Sequence, residues 1–483
     1  MKAYKLHMGP APCAVDLGDG SERGGYVNQD YILNQLGRPH RSINLMFCYY
    51  PLDKGWPTRA SELNKSGGVS FAWDYAYDDY FPYTGGVSGN TEGEPFISMK
   101  DVRRHGQDVT LTLTVDCAVP DEYIVRIAQE LKPYGRLLLR INHEATGDWF
   151  AFNKRYTYQQ VADFYVRFHR IVKQEAPNIR TILCIGEEPE KETGEMHYDK
   201  EFSEAIRQTD IWSGDYYLAL NWGWPFTIAE PGGNTHKRSA TKQIFDANRA
   251  SFERFCHLND GVVKPLVISE FNADGDVTGP YDQADMIQEF YNMVRDEEAT
   301  WLTGITFYQF RDKGRLGLET EDPSNSSNGI AQPVFDRYRK IIQDPWFQPS
   351  MEKGSTVECP AKLRWGCFED SEGLAVPLTF EKSPVFCEVV FEEEENLNAM
   401  VELNGKWFYK KPGVVTIDLM PAFYGKPLKG ECELVFKLFA PPADGVNDPS
   451  QGSDWAENYY TTINHLPKFR IRYEPTQSGS YMT

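Results

Sequence analysis

Hydrophobic and polar positions follow two different patterns along this chain of 483 residues. Up to about residue 348, short apolar runs alternate with stretches whose apolar residues recur at three- and four-residue spacing. Beyond about residue 350, short alternating runs are separated by turn dipeptides such as Asn404-Gly405 and Pro412-Gly413. The first pattern is typical of alternating strands and helices, and the second is typical of an all-β region.

The first part of the chain contains eight apolar runs that we interpret as strands. Because both faces of these runs are apolar and helical patterns fill most of the gaps, we expect a parallel sheet covered by helices. Eight such units predict a (β/α)8 TIM barrel, although a doubly wound open sheet gives the same local pattern. The eight runs are residues 3–8, 42–50, 109–115, 136–143, 180–185, 211–218, 264–270 and 304–310.

The change of pattern near residue 348 predicts two domains. We expect residues 1–348 to form the barrel and residues 350–483 to form an all-β domain, a β-sandwich. The stretch 51–107 interrupts the barrel pattern and is rich in aromatic residues. A stretch of this length is either a functional loop region or a small hydrophobic core beside the barrel.

Composition narrows the possible partners. Lys and Arg number 50 against 70 Asp and Glu, which gives a net charge of −20. This charge argues against nucleic acid and against anionic membrane surfaces, since both attract basic proteins. No apolar run of 18 residues is present, so no membrane-spanning helix is expected. A neutral ligand fits the charge best, although acidity also serves solubility alone.

The nine cysteines are widely spaced and include no Cys-x-x-Cys pair, so we expect reduced thiols in the core. The first residues lack an apolar leader segment. These features predict a cytoplasmic protein; a secreted protein whose leader is absent from this sequence is the alternative. The sequence gives no indication of the oligomeric state.

Polar residues stand at the end of the fourth apolar run. Arg140, Asn142 and Glu144 alternate along the chain, which places them on the face that points into the barrel lumen. An arginine and a glutamate inside a barrel are costly unless they are paired or used in chemistry. Because the C-terminal strand ends carry the catalytic residues of this architecture, we favour catalysis over a buried ion pair.

The seventh run ends in a second carboxylate, Glu270. A closed barrel brings the ends of the fourth and seventh strands to one crevice, so Glu144 and Glu270 are expected to face each other. Glycoside hydrolysis requires two such carboxylates. One protonates the leaving oxygen, and the other attacks the anomeric carbon or activates water.

Aromatic residues follow two of the strands that would line this crevice. Trp149 and Phe150 come after the fourth strand, and Trp222 and Trp224 come after the sixth. Such rings can pack on sugar rings, and Asn221 could bind hydroxyl groups. Loops at this edge of a barrel line the site, so we favour substrate binding over simple loop packing.

Three of these segments resemble one known family. The motif Arg-x-x-His-Glu-x-x-Gly-x-Trp-Phe at 140–150 resembles the acid/base motif of glycoside hydrolase family 26, the β-mannanase family of clan A. The segment 267–271 resembles the nucleophile strand of that family. The segment 210–217 is similar to the strand that carries a tyrosine bonded to the nucleophile. The resemblance covers about residues 130–310.

The resemblance implies retaining hydrolysis of a β-linked oligo- or polysaccharide. Glu144 would be the acid/base, Glu270 the nucleophile, His143 a contact near the sugar 2-hydroxyl, and Tyr217 the residue that orients Glu270. Arg140 and Asn142 would also line the substrate site. No cofactor or metal motif is visible.

Departures from the family pattern put the mannan substrate in question. Asn272 stands where the family usually has glycine. Tyr308, expected to contact substrate, ends the eighth run without the tryptophan that many clan A barrels place under the sugar. Tyr216 competes with Tyr217 for the contact to the nucleophile, because the spacing is shifted by one residue.

Other functions remain open at this point. One is a carbohydrate-binding barrel that lacks catalysis; another is a sugar lyase or isomerase, which would ordinarily need a metal or cofactor. In the C-terminal domain, Trp365 and Trp407 could form a sugar platform. Trp407 and Tyr409 alternate as in a sandwich core, however, so we favour a structural module that packs on the barrel.

Overall fold

The computed structural model describes most of the chain. All structural statements below concern the described residues, which are 2–18, 26–53, 55, 81–85, 91–134, 136–147, 150–186, 196–221, 236–312, 314–325, 327–365, 371–441 and 460–474. Much of the aromatic-rich stretch predicted at 51–107 lies outside them. Two of its segments, the strand Phe81–Pro82 and the helix Phe96–Arg104, are described.

Fourteen strands lie in the first part of the chain, within the described residues. They are β1 (Ala3–Gly9), β2 (Ala14–Gly18), β3 (Ser42–Tyr49), β4 (Phe81–Pro82), β5 (Asp108–Val115), β6 (Leu137–Ile141), β7 (Ile179–Gly186), β8 (Ile211–Asn221), β9 (His236–Arg238), β10 (Leu266–Ala273), β11 (Leu302–Phe307), β12 (Arg311–Asp312), β13 (Glu319–Glu321) and β14 (Gly329–Ala331).

Eight of these strands form a closed parallel barrel, as the sequence predicted. The neighbours run in the order β2, β3, β5, β6, β7, β8, β10 and β11, and the pairing of β11 with β2 closes the ring. The fourth, sixth and seventh barrel strands are therefore β6, β8 and β10. Their C-terminal ends open on the same face of the barrel.

The first predicted barrel strand is wrong. Strand β1 pairs antiparallel with two strands of the C-terminal region, and the first barrel strand is β2. Strand β2 has only five residues and contains Asp16, so it lacks a long apolar run. The Asp16 carboxylate pairs with Arg41 and accepts hydrogen bonds from the backbone and hydroxyl of Ser42, which makes the buried charge tolerable.

Helices surround the barrel and begin at sequence features that favour helix starts. Helix Asp121–Leu131 has two acidic residues in its first turn and buries an apolar face of Ile124, Ile127, Ala128 and Leu131. The helices are α1 (Gln29–Leu36), α2 (Phe96–Arg104), α3 (Asp121–Leu131), α4 (Ala151–Arg155), α5 (Tyr158–Glu175), α6 (Asp199–Gln208), α7 (Thr241–Leu258), α8 (Gly275–Thr278), α9 (Pro280–Asp296) and α10 (Pro333–Ile341). Within the described ranges, no helix has the length and apolar character that a bilayer crossing requires.

The C-terminal region is all-β, as predicted. Strands β15, β17, β22, β19 and β20 form a six-stranded antiparallel sheet together with β1, and β18, β21 and β24 form a second sheet. Apolar side chains of both sheets share one core. The strands are β15 (Ser350–Val357), β16 (Ala361–Arg364), β17 (Ser371–Phe380), β18 (Phe386–Val390), β19 (Ala399–Leu403), β20 (Lys406–Lys410), β21 (Thr416–Asp418), β22 (Cys432–Phe439), β23 (Tyr460–Ile463) and β24 (Lys468–Arg472).

An apolar cluster joins the barrel to the C-terminal region. Leu33 of α1 packs in one cluster with Trp365 and Trp407, which are 2% and 8% exposed. Gly106, with a φ of +69°, comes so close that a Cβ there would lie 2.8 Å from the Trp365 ring. The predicted apolar contact with the barrel is confirmed.

The face assigned to Trp407 and Tyr409 is wrong. The side chains of Trp407 and Tyr409 on β20 point toward the barrel, and the intervening Phe408 packs against the sandwich core. Alternation shows which residues share a face of a strand but not which face lies inward. Trp365 and Trp407 are covered by the barrel and offer no sugar platform.

A charged cluster lies beside this apolar contact. His105, which follows α2, is hydrogen-bonded through Nε2 to the Asp30 carboxylate at 2.9 Å. The centroid of its ring lies 3.8 Å from that of the Tyr409 ring. Lys411 pairs with the same Asp30 carboxylate from the C-terminal side. Burial alone would lower the pKa of His105, but hydrogen bonds with Asp101 and Asp30 outweigh it and raise the pKa to about 9.

We expect this cluster to make stability depend on alkaline pH. The pKa of His105 is about 9 in the folded protein and near 6.5 in the unfolded chain. Its contribution is therefore complete below pH 6.5 and is lost as the pH rises through about 9. The loss should be on the order of 1–3 kcal/mol in the free energy of unfolding, measurable by urea unfolding between pH 6 and 10.

Two glutamine variants isolate the histidine. His105→Gln should remove most of this alkaline loss, whereas His257→Gln, at an exposed position on α7, should retain it. The same pH dependence in His105→Gln and the wild type would contradict a charged His105.

Candidate active site

Three carboxylates meet at the C-terminal end of the barrel. Glu144 follows β6, Asp215 lies on β8, and Glu270 lies on β10. Each carboxylate places an oxygen within 4.8 Å of an oxygen of the other two. The structure thus brings together the two glutamates that the sequence singled out, and it adds Asp215 to them.

Arg140 is the cation at the centre of this group. Its side chain is fully buried on β6 and donates from three nitrogens. Nη2 donates to Glu270 Oε1 at 2.6 Å, and Nη1 donates to the two oxygens of Asp215 at 3.1 and 3.2 Å. Nε donates to Thr112 Oγ1 on β5 at 2.8 Å. One guanidinium therefore links strands β5, β6, β8 and β10, which are the third, fourth, sixth and seventh strands of the barrel.

Glu270 is held from both of its oxygens. Oε1 accepts from Arg140, and Oε2 accepts from the Tyr217 hydroxyl at 2.7 Å. Burial and the nearby Glu270 carboxylate raise the pKa of Tyr217 well above its usual value, so this hydroxyl keeps its proton. Both contacts favour the ionised form of Glu270.

Asp215 is the functional candidate that sequence reasoning missed. Its side chain is 1% exposed, and Ser269 donates to its Oδ1 at 2.6 Å. Burial raises the pKa of Asp215, opposed by the Arg140 charge and the Ser269 bond. The pattern that could have found it is the two-residue alternation on β8, which puts Asp215 and Tyr217 on one face.

The chain leaves β6 through a strained turn. Asn142 and Glu144 have φ angles of 47° and 51°, in the left-handed region, so the predicted alternation stops at Ile141. The amide of Asn142 exchanges hydrogen bonds with the backbone of Val115 at 2.7 and 3.0 Å. It therefore points at the neighbouring strand rather than along the lumen. Glu144 is half-buried at the mouth of the barrel.

His143 lies between the turn and the nucleophile candidate. Its Nε2 is 4.0 Å from Glu270 Oε1, and its ring packs 4.6 Å from that of Phe150. Burial, assisted by the Arg140 charge, holds the pKa of His143 well below its ordinary value. The imidazole is therefore neutral at physiological pH.

Adjacent tyrosines on β8 point to opposite sides of the strand. The hydroxyl of Tyr217 bonds Glu270, while that of Tyr216 pairs with Ser251 of helix α7 at 2.7 Å. Of the two, Tyr217 makes the contact to Glu270.

Of the aromatic residues that were predicted to contact substrate near the barrel mouth, the structure describes Phe150 and Tyr308. Phe150 is 7% exposed and stacks on Phe152. Tyr308 is 5% exposed, and its ring stands at 89° to that of Tyr217 with centroids 6.4 Å apart. The side chains of Trp149, Asn221, Trp222 and Trp224 lie outside the described residues.

Among the described residues, the three site carboxylates form the acidic group whose spacing would suit a metal ion. Arg140 already donates to two of the three, so the charge of the cluster is balanced in part by the protein itself. The site therefore consists of two glutamates, a buried aspartate and the guanidinium of Arg140.

Comparison with known proteins gives distant similarities. No family model matches the chain. Over 287 residues it is 26% identical to Endoglucanase H of Acetivibrio thermocellus, an alignment that covers 53% of this chain and 29% of that protein. The chain thus spans less than a third of the length of this curated relative.

Solved structures similar to this chain include family 26 β-mannanases, the family that its motifs resemble. A β-mannanase from Bacteroides ovatus is 13% identical with a TM-score of 0.42, covering 69% of this chain and 89% of that one. A modular endo-β-1,4-mannanase from Cellulomonas fimi is 11% identical with a TM-score of 0.45, covering 88% and 93%. A family 51 α-L-arabinofuranosidase from Bifidobacterium longum is 10% identical with a TM-score of 0.42, covering 89% and 97%.

Proposed function

We propose that this protein is a retaining glycoside hydrolase that cleaves a β-linked oligo- or polysaccharide by double displacement. Glu144 is the acid/base and Glu270 is the nucleophile. The observation that carries the proposal is the spacing of these two residues, whose carboxylate oxygens approach within 4.8 Å. Retaining enzymes hold the two carboxyl groups ~5–5.5 Å apart, whereas inverting enzymes leave ~6.5–9.5 Å for a water molecule.

The two glutamates have different surroundings, as the mechanism requires. Glu270 accepts from a guanidinium and a tyrosine hydroxyl and is 7% exposed, which suits a fixed, ionised nucleophile. Glu144 is half-buried on a turn at the mouth of the barrel, where a proton can be delivered to a leaving group. Environments that separate two carboxylates in this way define the acid and the nucleophile of a glycosidase.

In the first step, an oxygen of Glu270 attacks the anomeric carbon. The bond from this carbon to the leaving oxygen breaks, and the proton of Glu144 passes to that oxygen. The negative charge of Glu270 is lost in the ester that forms. Because this charge lay within 4.8 Å of Glu144, its loss favours the carboxylate form of Glu144.

In the second step, Glu144 acts as the base. Its carboxylate takes a proton from water, the water oxygen bonds to the anomeric carbon, and Glu270 leaves with its electron pair. Both attacks invert the anomeric carbon, so the product keeps the configuration of the substrate.

Two relationships suggest the first substrates to assay. The sequence relative is named an endoglucanase, and the site motifs resemble those of β-mannanases. Both names refer to polymers of neutral hexoses, which are compatible with a chain of net charge −20. Glucans and mannans of different linkage are therefore the first panel for a hydrolysis assay, and the size of the products distinguishes endo from exo action.

Glu270→Ala should abolish turnover of an activated aryl β-glycoside, because it removes the attacking carboxylate. Azide should restore activity by entering the vacated space, and the product should be the α-glycosyl azide, since only one inversion then occurs. Chromogenic assay and ¹H NMR of the azide product measure both effects.

Glu289→Ala is the control for the nucleophile variant. Glu289 lies on α9, where its carboxylate accepts from Thr241, and this variant should retain activity. Wild-type turnover in Glu270→Ala would contradict the proposed function. Glycan binding by calorimetry, without turnover in the wild type, would favour the carbohydrate-binding alternative.

Glu144→Ala should separate substrates by their leaving groups. A sugar leaving group needs the proton, so hydrolysis of a glycan should fall by about 10²–10⁴-fold. The first step should be much less affected for a 2,4-dinitrophenyl glycoside, whose leaving group needs no proton. Azide should then release the β-glycosyl azide. Equal losses on both substrates would exclude an acid/base role for Glu144.

A further inference from the structure

Asn272 lies beside the candidate nucleophile in a position that the proposed mechanism does not use. It stands two residues after Glu270 on β10, so both side chains lie on the same face of the strand. Asn272 is completely buried. Its Nδ2 donates to the carbonyl of Tyr308 at 2.5 Å and also to that of Leu316, while its Oδ1 accepts from the Ala273 N–H at 2.7 Å.

This amide continues the link between the last two barrel strands. The pairing of β10 with β11 ends where Phe271 lies opposite Phe307. Beyond that point, the side chain of Asn272 bridges the strand end to the loop that follows β11. Gln283 supports the same loop from α9, since its Nε2 donates to the carbonyls of Ala273 and Arg315 at 2.7 and 2.8 Å.

The bridge leads back to the site through Tyr308. The Tyr308 ring packs edge-on against Tyr217, with centroids 6.4 Å apart. Tyr217 in turn donates its hydroxyl proton to Glu270 Oε2 at 2.7 Å. Asn272 thus fixes the backbone of Tyr308, and the ring of Tyr308 limits where the ring of Tyr217 can lie.

We infer that Asn272 is a positioning residue for the reaction. It holds Tyr308 against Tyr217, and so it holds the attacking carboxylate of Glu270 in its reactive orientation. This inference rests on the proposed glycosidase function.

Asn272→Ala should reduce kcat. The loop after β11 loses its side-chain link, and misplacement of reacting groups by about 1 Å can cost as much as 10²-fold in rate. We expect a fall of about 10- to 100-fold in kcat. The change in KM should be much smaller, because the substitution removes none of the proposed contacts to the sugar. Steady-state kinetics on an aryl glycoside, below the unfolding temperature of every variant, measure this effect.

Asn398→Ala is a matched control for the loss of a buried amide. Asn398 is also completely buried, and its Nδ2 also donates to two carbonyls, those of Arg104 and Pro441 at 3.3 and 2.9 Å. It lies at the boundary between the barrel and the C-terminal region, away from the carboxylates. Both alanine variants should lower the melting temperature, but Asn398→Ala should keep kcat within twofold of the wild type.

A double-mutant cycle with Tyr308→Leu tests the route of the effect. If Asn272 acts through Tyr308, the loss of kcat in the double variant should be clearly smaller than the product of the single losses. Independent, multiplicative losses would contradict the route. Asn272→Ser, which keeps one donor in a smaller side chain, replaces the alanine variant if that variant does not fold, and an intermediate loss of kcat is then expected.

The inference and the proposed function fail in different ways. Wild-type activity in Glu270→Ala would overturn the proposed function. An inactive Glu270→Ala together with a wild-type kcat in Asn272→Ala would overturn the positioning role alone.

Discussion

The site depends on one buried guanidinium. Arg140 is inaccessible to solvent, and a buried charge of this kind is stable only when its donors are matched by acceptors. Thr112, Asp215 and Glu270 provide them from three other strands of the barrel. These bonds link the lumen sides of four barrel strands, and they hold one oxygen of Glu270 in place.

The same guanidinium gives the three carboxylates different surroundings. Asp215 accepts hydrogen bonds from Arg140 and Ser269, and its side chain is buried away from solvent. Glu270 shares the guanidinium but also accepts from Tyr217, and both contacts orient it and favour its ionised form. Glu144 stands on the turn with a positive φ and is half-buried at the mouth of the barrel. Arg140 thus separates the two carboxylates that it holds inside the barrel from the half-buried Glu144, which is the separation that the proposed mechanism requires.

How much the sequence could predict follows from the range of each interaction. Apolar runs and helical periodicity predicted the barrel and the meeting of Glu144 with Glu270, because strand order brings those ends together. Strand β1 was misassigned, since an apolar run looks the same whether its partners are near or, as here, more than three hundred residues away. Asp215 was missed because alternation on β8 indicates only the face on which it lies, whereas its contact with Arg140 across the barrel depends on the closed fold. The face of Trp407 was misjudged because it depends on how the sheet docks on the barrel.

The most direct test of the proposed mechanism is to identify the residue that bonds covalently to the sugar. A 2-deoxy-2-fluoro β-glycoside with a good leaving group, of the sugar that the hydrolysis assay identifies, should slow the second step and accumulate the glycosyl-enzyme. Mass spectrometry of the digested protein then locates the label. We expect a single added sugar on the peptide that contains Glu270, attached to that residue. A label on Glu144 or Asp215, or turnover of this reagent that releases the inverted sugar without any covalent intermediate, would contradict it.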